Sequence, residues 1–504
     1  MNLEIFQKID ILNNKNNQKL FLFFFAIAIC GYASFLTSGI LYSDDYIRYI
    51  LNYSTCCSNG RYGNTVLEYL MFLSHIVLDA APFTQIFSCA VLAFIALICI
   101  RMFCKTVDCF SVLFAASITV NPYLLETIIF RFDNHFMTLG LLAALLAAYI
   151  SSQNDSRNFI LPAVLLFCSL SLYQAALSAY FIVFFYLLID KVSQRENISS
   201  LVKFMKNWGY ALASAAVLYL PVALNIHYTK ISEKTFIGNN FEEYFNFVLK
   251  KVYYYFENIY QDWHSTYVGV LFSIFILGFI AYFFTMAWKN KSSYRDYAFR
   301  SVLLAILIFA FFLSPIGITI FFNHAGARPD TTPLRIIYSI VIAFFLILHR
   351  AHLFFEKKFL LEPISKFFAF VFLLWNITLT NATGNLMKQK CELQNGICSN
   401  IAEDIYSFPR KQDIKRVLIA CDYIPIFLKK ALQEYPVLNK IFAHQWNRPF
   451  FSNILLKYNG EFFPFLEKHL VRVPDDAVEI VDRQWYKLYF SEKDLLIIKV
   501  KDSH

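Results

Sequence analysis

Apolar residues in this chain run in long stretches. Eleven of these read as membrane spans, at roughly 20–41, 84–103, 109–124, 136–150, 159–174, 176–190, 209–226, 266–286, 301–321, 335–349 and 364–381. A helix rises 1.5 Å per residue, so about 20 apolar residues cross a hydrocarbon layer of ~30 Å. The first run, Phe21–Leu41, is too long for the core of a signal peptide and lacks a small-residue cleavage site, so it is expected to stay in place as a helix.

Three stretches break this pattern. From Asn64 to Ala80, Asn64, Glu68, His75 and Asp79 fall on one helical stripe among Leu67, Leu70, Met71, Ile76 and Leu78, which predicts an amphipathic helix lying at the outer interface with a solvated polar face. The loop from Tyr228 to Ser265 is dense in Tyr253, Tyr254, Tyr255, Phe256, Tyr260 and Trp263 and is expected to form interfacial helices, because aromatic rings favour the headgroup layer. After Thr380 the apolar runs shorten and charges become frequent. There Arg416–Asp422 and Asp494–Val500 read as buried strands, and Ile424–Leu432 reads as a helix. The expected organisation is therefore an all-α polytopic membrane unit over residues 1–382, followed by a small α/β domain over 383–504 on the outer face.

Composition agrees with a membrane protein: of 504 residues 58% are hydrophobic and 16% charged, against about a quarter charged in soluble domains. Charge also sets the orientation. Lys8, Lys15, Lys19, Arg101, Lys105, Arg157, Lys191, Arg195, Lys203, Lys206, Lys289, Lys291, Arg295, Arg300, Arg350, Lys357, Lys358 and Lys366 all fall in alternate loops. The positive-inside rule makes those loops and the amino terminus cytoplasmic, and the carboxy terminus outside. The net charge of +9 thus reflects topology, and no basic face suited to nucleic acid is seen.

With this orientation the unusual polar residues collect on the outer side. Asp44, Asp45, Arg48 and Arg61 follow the first span, and Glu126, Arg131, Asp133 and His135 lie in the next outer loop. Tyr173 and Gln174 form a hairpin, and His324, Arg328, Asp330 and Arg335 complete the set. Carboxylates and guanidinium groups from distant parts of the chain meeting at one membrane face suit a negatively charged lipid headgroup. Of the eleven cysteines, Cys30, Cys89, Cys99 and Cys168 read as small core residues, Cys391 and Cys398 as a disulfide-forming pair, and the adjacent Cys56 and Cys57 as free, bridged elsewhere or a strained vicinal pair. No cysteine or histidine set has zinc spacing.

The acidic pair Asp44 and Asp45 with Arg48, the run Gly60, Arg61, Tyr62 and Gly63, and the even spacing of spans resemble the serotype-converting O-antigen glucosyltransferases. These form the glucosyl transferase II group, membrane enzymes of GT-C architecture. The resemblance covers about the first 380 residues at the level of organisation. It implies a bacterial inner-membrane enzyme that moves a hexose, usually glucose, from undecaprenyl phosphate to lipid-linked O-antigen on the periplasmic side. It implies no nucleotide sugar and no required metal, although some GT-C relatives use a divalent ion and Asp44, Asp45 and Asp133 leave that open. Because the leaving group is already a phosphate, the chemistry asks for a carboxylate base on the acceptor hydroxyl and cations for the departing charge. Either Asp44 or Asp45 is the base. Arg328 and Arg335 clamp the phosphate with Arg131 beside them, and Arg48, Arg61, Asp133, His135 and Gln174 complete the substrate contacts.

Each residue has a plainer role to be weighed: Asp44 and Asp45 as cap residues of a helix, Arg48 and Arg61 as nonspecific lipid contacts, Asp133 and His135 as parts of a satisfied polar loop. Two other functions share these features. A flippase or transporter of lipid-linked sugar would need polar groups near the midplane or on both faces, and an O-antigen polymerase would need a large arginine-rich outer loop and leaves the acidic pair without a task.

Overall fold

The computed structural model describes residues 14–42, 45, 48, 49, 52, 60–153, 159–229, 241–263, 267–317, 333–356, 362–420, 426–442, 465, 466, 473, 476–491 and 495–501. The chain is mostly helical. In order the helices of the first part are α1 (Lys15–Gly31), α2 (Ala33–Ser38), α3 (Tyr62–Phe72), α4 (Phe83–Phe103), α5 (Cys109–Thr119), α6 (Leu125–Ile129), α7 (Asn134–Ser152), α8 (Ile160–Leu172) and α9 (Ser178–Ser193). They continue as α10 (Ile198–Thr229), α11 (Phe241–Trp263), α12 (Tyr267–Lys289), α13 (Tyr294–Leu313), α14 (Leu334–Ile337), α15 (Ile340–Phe355) and α16 (Glu362–Ser407). Every one of the eleven apolar stretches contains a helix. Among the described residues seven helical segments are long and apolar enough to cross a membrane, and Ile160–Leu172 and Ile340–Phe355 are shorter apolar helices.

Helix α4 is apolar on all sides because it sits inside the bundle, packed on α1, α5 and α7. Its polar first turn closes the neighbouring turn before α7: Thr84 Oγ1 donates to the Arg131 carbonyl at 3.0 Å and Gln85 Nε2 to the Ile128 carbonyl at 3.1 Å. Helix α1 breaks at Tyr32, and the carbonyls this exposes are taken up by α16, with Thr380 Oγ1 on Gly31 at 2.9 Å and Asn381 Nδ2 on Cys30 at 2.7 Å. The helices meet closely there because residue 384 is glycine; an added Cβ would lie 2.0 Å from Ser34 Oγ.

The two ends of the bundle differ. At one end Arg350 pairs with Asp190 at 3.3 Å, Lys191 with Glu196 at 2.8 Å and Arg300 with Asp296 at 2.8 Å, and these residues belong to loops expected to be cytoplasmic. The residues of the loops expected to be outer occupy the other end, beside the first turn of α4.

Helix α16 has 46 residues, so it runs on past any bilayer and through the position 382/383 chosen from composition. Beyond it come β1 (Arg416–Ala420), α17 (Ile426–Glu434), α18 (Asn439–Phe442), β2 (Phe465–Leu466), β3 (Ala477–Asp482), β4 (Tyr486–Ser491) and β5 (Leu495–Val500). The sheet order is β2-β1-β5-β4-β3. β1 is parallel to β2 and β5, and β4 is antiparallel to β3 and β5. The strands and helix expected in the tail are present as β1, β5 and α17.

Three local expectations are corrected. The amphipathic helix ends at Phe72, where Leu73 turns left-handed (φ 48°), so His75 and Asp79 are not on it. Asn64 and Glu68 face inward, while Val66, Tyr69, Leu70 and Met71 are exposed; the stripe is a buried polar face, not a solvated one. Cys391 and Cys398 lie two turns apart on α16, about 10.5 Å along its axis, and a disulfide between them is excluded because bridged Cα atoms lie within about 7 Å. The aromatic segment is helical as α11, yet Tyr255 and Trp263 are buried in the bundle, Trp263 stacking on Phe272 at 5.4 Å, while Tyr253 and Tyr260 are exposed.

Buried Asp262 at the end of α11 accepts from Tyr123 Oη at 2.8 Å and pairs with Lys440 of α18. This contact fastens the tail to the bundle. Lys440→Met strands a buried carboxylate and is expected to cost about 3–5 kcal/mol. A lowered melting temperature in detergent, largely recovered by adding Asp262→Asn, is the expected result; an unchanged one removes this fastening role.

Candidate functional site

Tyr42 and Asp45 follow the left-handed Gly39 (φ 63°) that ends α2. Asp45 is 1% exposed. Its Oδ2 accepts the N–H of Arg131 at 2.9 Å and of Tyr42 at 3.3 Å, so the carboxylate clasps the segment after α2 to the turn before α7. Oδ1 makes no hydrogen bond among the described residues. Burial pushes the Asp45 carboxyl up to about 8; the Arg131 N–H and the Arg48 charge pull it down, and the Asp133 charge raises it further. Asp44 lies outside the described residues, as do His324, Arg328 and Asp330.

Arg48 reaches Asp133 at 2.7 Å and Glu68 at 3.9 Å, all three buried. Asp133 stands at the amino-terminal end of α7. Burial alone would raise its carboxyl, but Arg48 and Arg61 outweigh this and hold it below the usual value. His135, in the first turn of α7, is buried with neither ring nitrogen hydrogen-bonded. It lines a small open recess with Glu68, Met71, Val77, Thr84 and Arg131.

The other arginines are held by carboxylates from separate elements. Arg131 pairs with Asp79 at 2.8 Å, and Arg335 in α14 pairs with Glu126 of α6 at 3.1 Å while its own N–H donates to Glu126 Oε2 at 2.9 Å. The Arg335 side chain is 32% exposed, at the rim. Arg61 lies over the Tyr173 ring, 4.5 Å from its centre. Gln174 Nε2 donates to Tyr219 Oη at 3.0 Å, so Gln174 reaches this cluster through α10.

Of the residues singled out from sequence, Asp45, Arg48, Arg61, Arg131, Asp133, His135 and Arg335 therefore gather at one end of the bundle. Sequence reasoning overlooked the counter-charges Glu68 and Asp79, assigned to a solvated face, and undervalued Glu126 and Tyr173. Charge balance was the available signal, because arginines at a low-dielectric boundary need carboxylates nearby. Among the described residues no group of three or more His, Cys, Asp or Glu is arranged to hold a metal. The Asp133 carboxylate is committed to Arg48, and Asp45 Oδ2 to two backbone N–H groups. The arrangement offers one raised carboxylate beside several guanidinium groups, which is the equipment for taking a proton and stabilising a departing anion.

The family model described as Glucosyl transferase GtrII matches residues 33–348, more than half of the chain and every described residue of this cluster. A protein of Salmonella phage P22, described as an uncharacterized 55.3 kDa protein in the gtrB 5′ region, is 27% identical over 196 residues, 38% of this chain. The match spans 39% of that relative's length. No solved structure matches.

Proposed function

The chain belongs to the glucosyl transferase GtrII family, and from that premise we propose that it is an integral membrane glycosyltransferase that moves a hexose, glucose by family, from undecaprenyl phosphate to lipid-linked O-antigen on the periplasmic face of a bacterial inner membrane. In this reading the eleven apolar stretches cross the membrane, the amino terminus is cytoplasmic, and residues 383–504 form a periplasmic domain. The observation that carries it is the convergence of Asp45, Arg48, Arg61, Arg131, Asp133 and Arg335 at the bundle end opposite the basic loops.

Asp44 and Asp45 are the catalytic carboxylates. A carboxyl raised to about 8 is a far stronger base, once ionised, than an ordinary aspartate, and suits removal of the acceptor hydroxyl proton. The acceptor oxygen attacks the anomeric carbon as the bond to the phosphate oxygen breaks, the proton passes to the carboxylate, and the leaving phosphate gains a negative charge that the arginines stabilise. Attack opposite the leaving group inverts the anomeric configuration. His135 and Gln174 orient sugar hydroxyls, and Arg328 joins Arg335 on the phosphate.

The test is transfer by purified full-length protein in detergent, with radiolabelled undecaprenyl-phosphate glucose and lipid-linked O-antigen as substrates. Label appearing on the acceptor without nucleotide sugar is the expected result. Label confined to the donor, with lipid translocation in vesicles instead, would replace this reading by a flippase.

A further inference from the structure

Charge balance singles out one arginine of the cluster. Arg48, Arg131 and Arg335 each have a carboxylate within 4.0 Å, whereas among the described residues none lies that close to Arg61. The Arg61 Nε is buried without a hydrogen-bond partner. The guanidinium is held in place by the run around it. Gly60 is left-handed (φ 73°), and its carbonyl accepts from Tyr219 Oη at 3.2 Å, which in turn accepts from Gln174. Gly63 lies against α8 so closely that a Cβ there would be 3.1 Å from the Ser171 carbonyl carbon and oxygen. Both glycines thus lock the start of α3, and with it Arg61, onto the Tyr173 ring.

Tyr173 completes the arrangement. Its ring is wedged against Tyr338 at 5.7 Å, and its hydroxyl makes no hydrogen bond among the described residues. At neutral pH a tyrosine hydroxyl keeps its proton and is a donor. The Arg61 guanidinium thus stands over the ring that carries this O–H donor.

We propose that Arg61 and the Tyr173 hydroxyl, fixed by the turn at Gly60–Gly63, form the pocket that binds the phosphate of a polyprenyl-phosphate sugar. This rests on the reading of the donor given above. Among the described residues Arg61 has no carboxylate within 4.0 Å, and its charge matches the single negative charge of a phosphodiester, while Arg48, Arg131 and Arg335 are each paired with a carboxylate.

The test uses purified full-length protein in detergent and displacement of a fluorescent polyprenyl phosphate by polyprenyl phosphate, by polyprenol of equal length, or by phosphatidylglycerol. The parent is expected to prefer phosphate over alcohol by about tenfold or more, in line with a charge-assisted hydrogen bond. Arg61→Gln should abolish that preference, Tyr173→Phe should reduce it several-fold, and Arg61→Lys should keep part of it, all with polyprenol affinity unchanged. Phosphatidylglycerol should not compete. Equal preference in Arg61→Gln and parent overturns the proposal, as does full competition by phosphatidylglycerol, which would make this a site for bilayer headgroups. If Arg61→Gln does not fold, as judged by its melting temperature, an unchanged preference in both Tyr173→Phe and Arg61→Lys overturns it as well. A parent that transfers glucose yet ignores the phosphate removes the pocket and leaves the donor reading standing; one that does neither removes both.

Discussion

Asp45→Asn is expected to lower glucosyl transfer by about 10²- to 10⁴-fold, the usual contribution of a positioned general base, with little loss of folding. Asparagine keeps a side-chain oxygen for the N–H groups of Tyr42 and Arg131, so the clasp between the two loops survives while proton acceptance does not. Asp45→Ala loses both, leaving two N–H groups unpaired at about 1–3 kcal/mol each, and should show a lowered melting temperature as well. In the parent the rate should climb with pH and level off above about 8, because burial keeps the carboxyl protonated below that value. Stability moves the other way. The folded-state value lies above the unfolded one near 3.8, so the contribution is complete below about 4 and is lost as pH rises towards 8. Rates measured from pH 6 to 9 decide the matter: a substitution that preserves both rate and rising limb would leave Asp45 as a backbone clasp and assign the chemistry to Asp44.

The helical frame was legible because spanning length is a local property; an apolar run such as Phe83–Phe103 can be counted without knowing its neighbours. The strands β1 and β5 were legible for the same reason. What was hidden depended on contacts between distant segments. The end of α3 at Phe72 carries no glycine or proline to announce it, since Leu73 itself takes the left-handed turn, and so the stripe Asn64, Glu68, His75, Asp79 looked continuous. Asn64 and Glu68 face inward, and Glu68 and Asp79 meet Arg48 and Arg131 from other loops, while His75 is exposed. The Cys391 and Cys398 spacing suggested a bridge only as long as α16 was taken to stop at the membrane surface. For the site, sequence brought out the cations and the twin aspartates but not their pairing, and pairing is what separates Arg61 from the other arginines.

The second large effect is expected at Arg48. Arg48→Met leaves Asp133 and Glu68 buried without their cation, and removing one partner of a buried pair costs about 3–5 kcal/mol. Thermal unfolding in detergent should show a large drop, and transfer should fall with it, because Arg48 also tempers the Asp45 carboxyl. The pH dependence gives the cause away. In the parent Asp133 is held below its ordinary value, so its contribution is present above about 4 and disappears as pH falls through the folded-state value. Without Arg48 the dominant influence on Asp133 is burial, which raises the carboxyl, so acidification neutralises a charge the fold no longer supports. The stability gap between variant and parent should therefore narrow as pH is lowered from 8 to 5. Adding Asp133→Asn to Arg48→Met should recover much of the loss, since a neutral amide needs no counter-ion. A gap that stays constant with pH, together with no recovery in the double variant, would mean that Arg48 acts through its packing on Glu68 and the surrounding loop, and that the ion pair with Asp133 does not organise this end of the bundle.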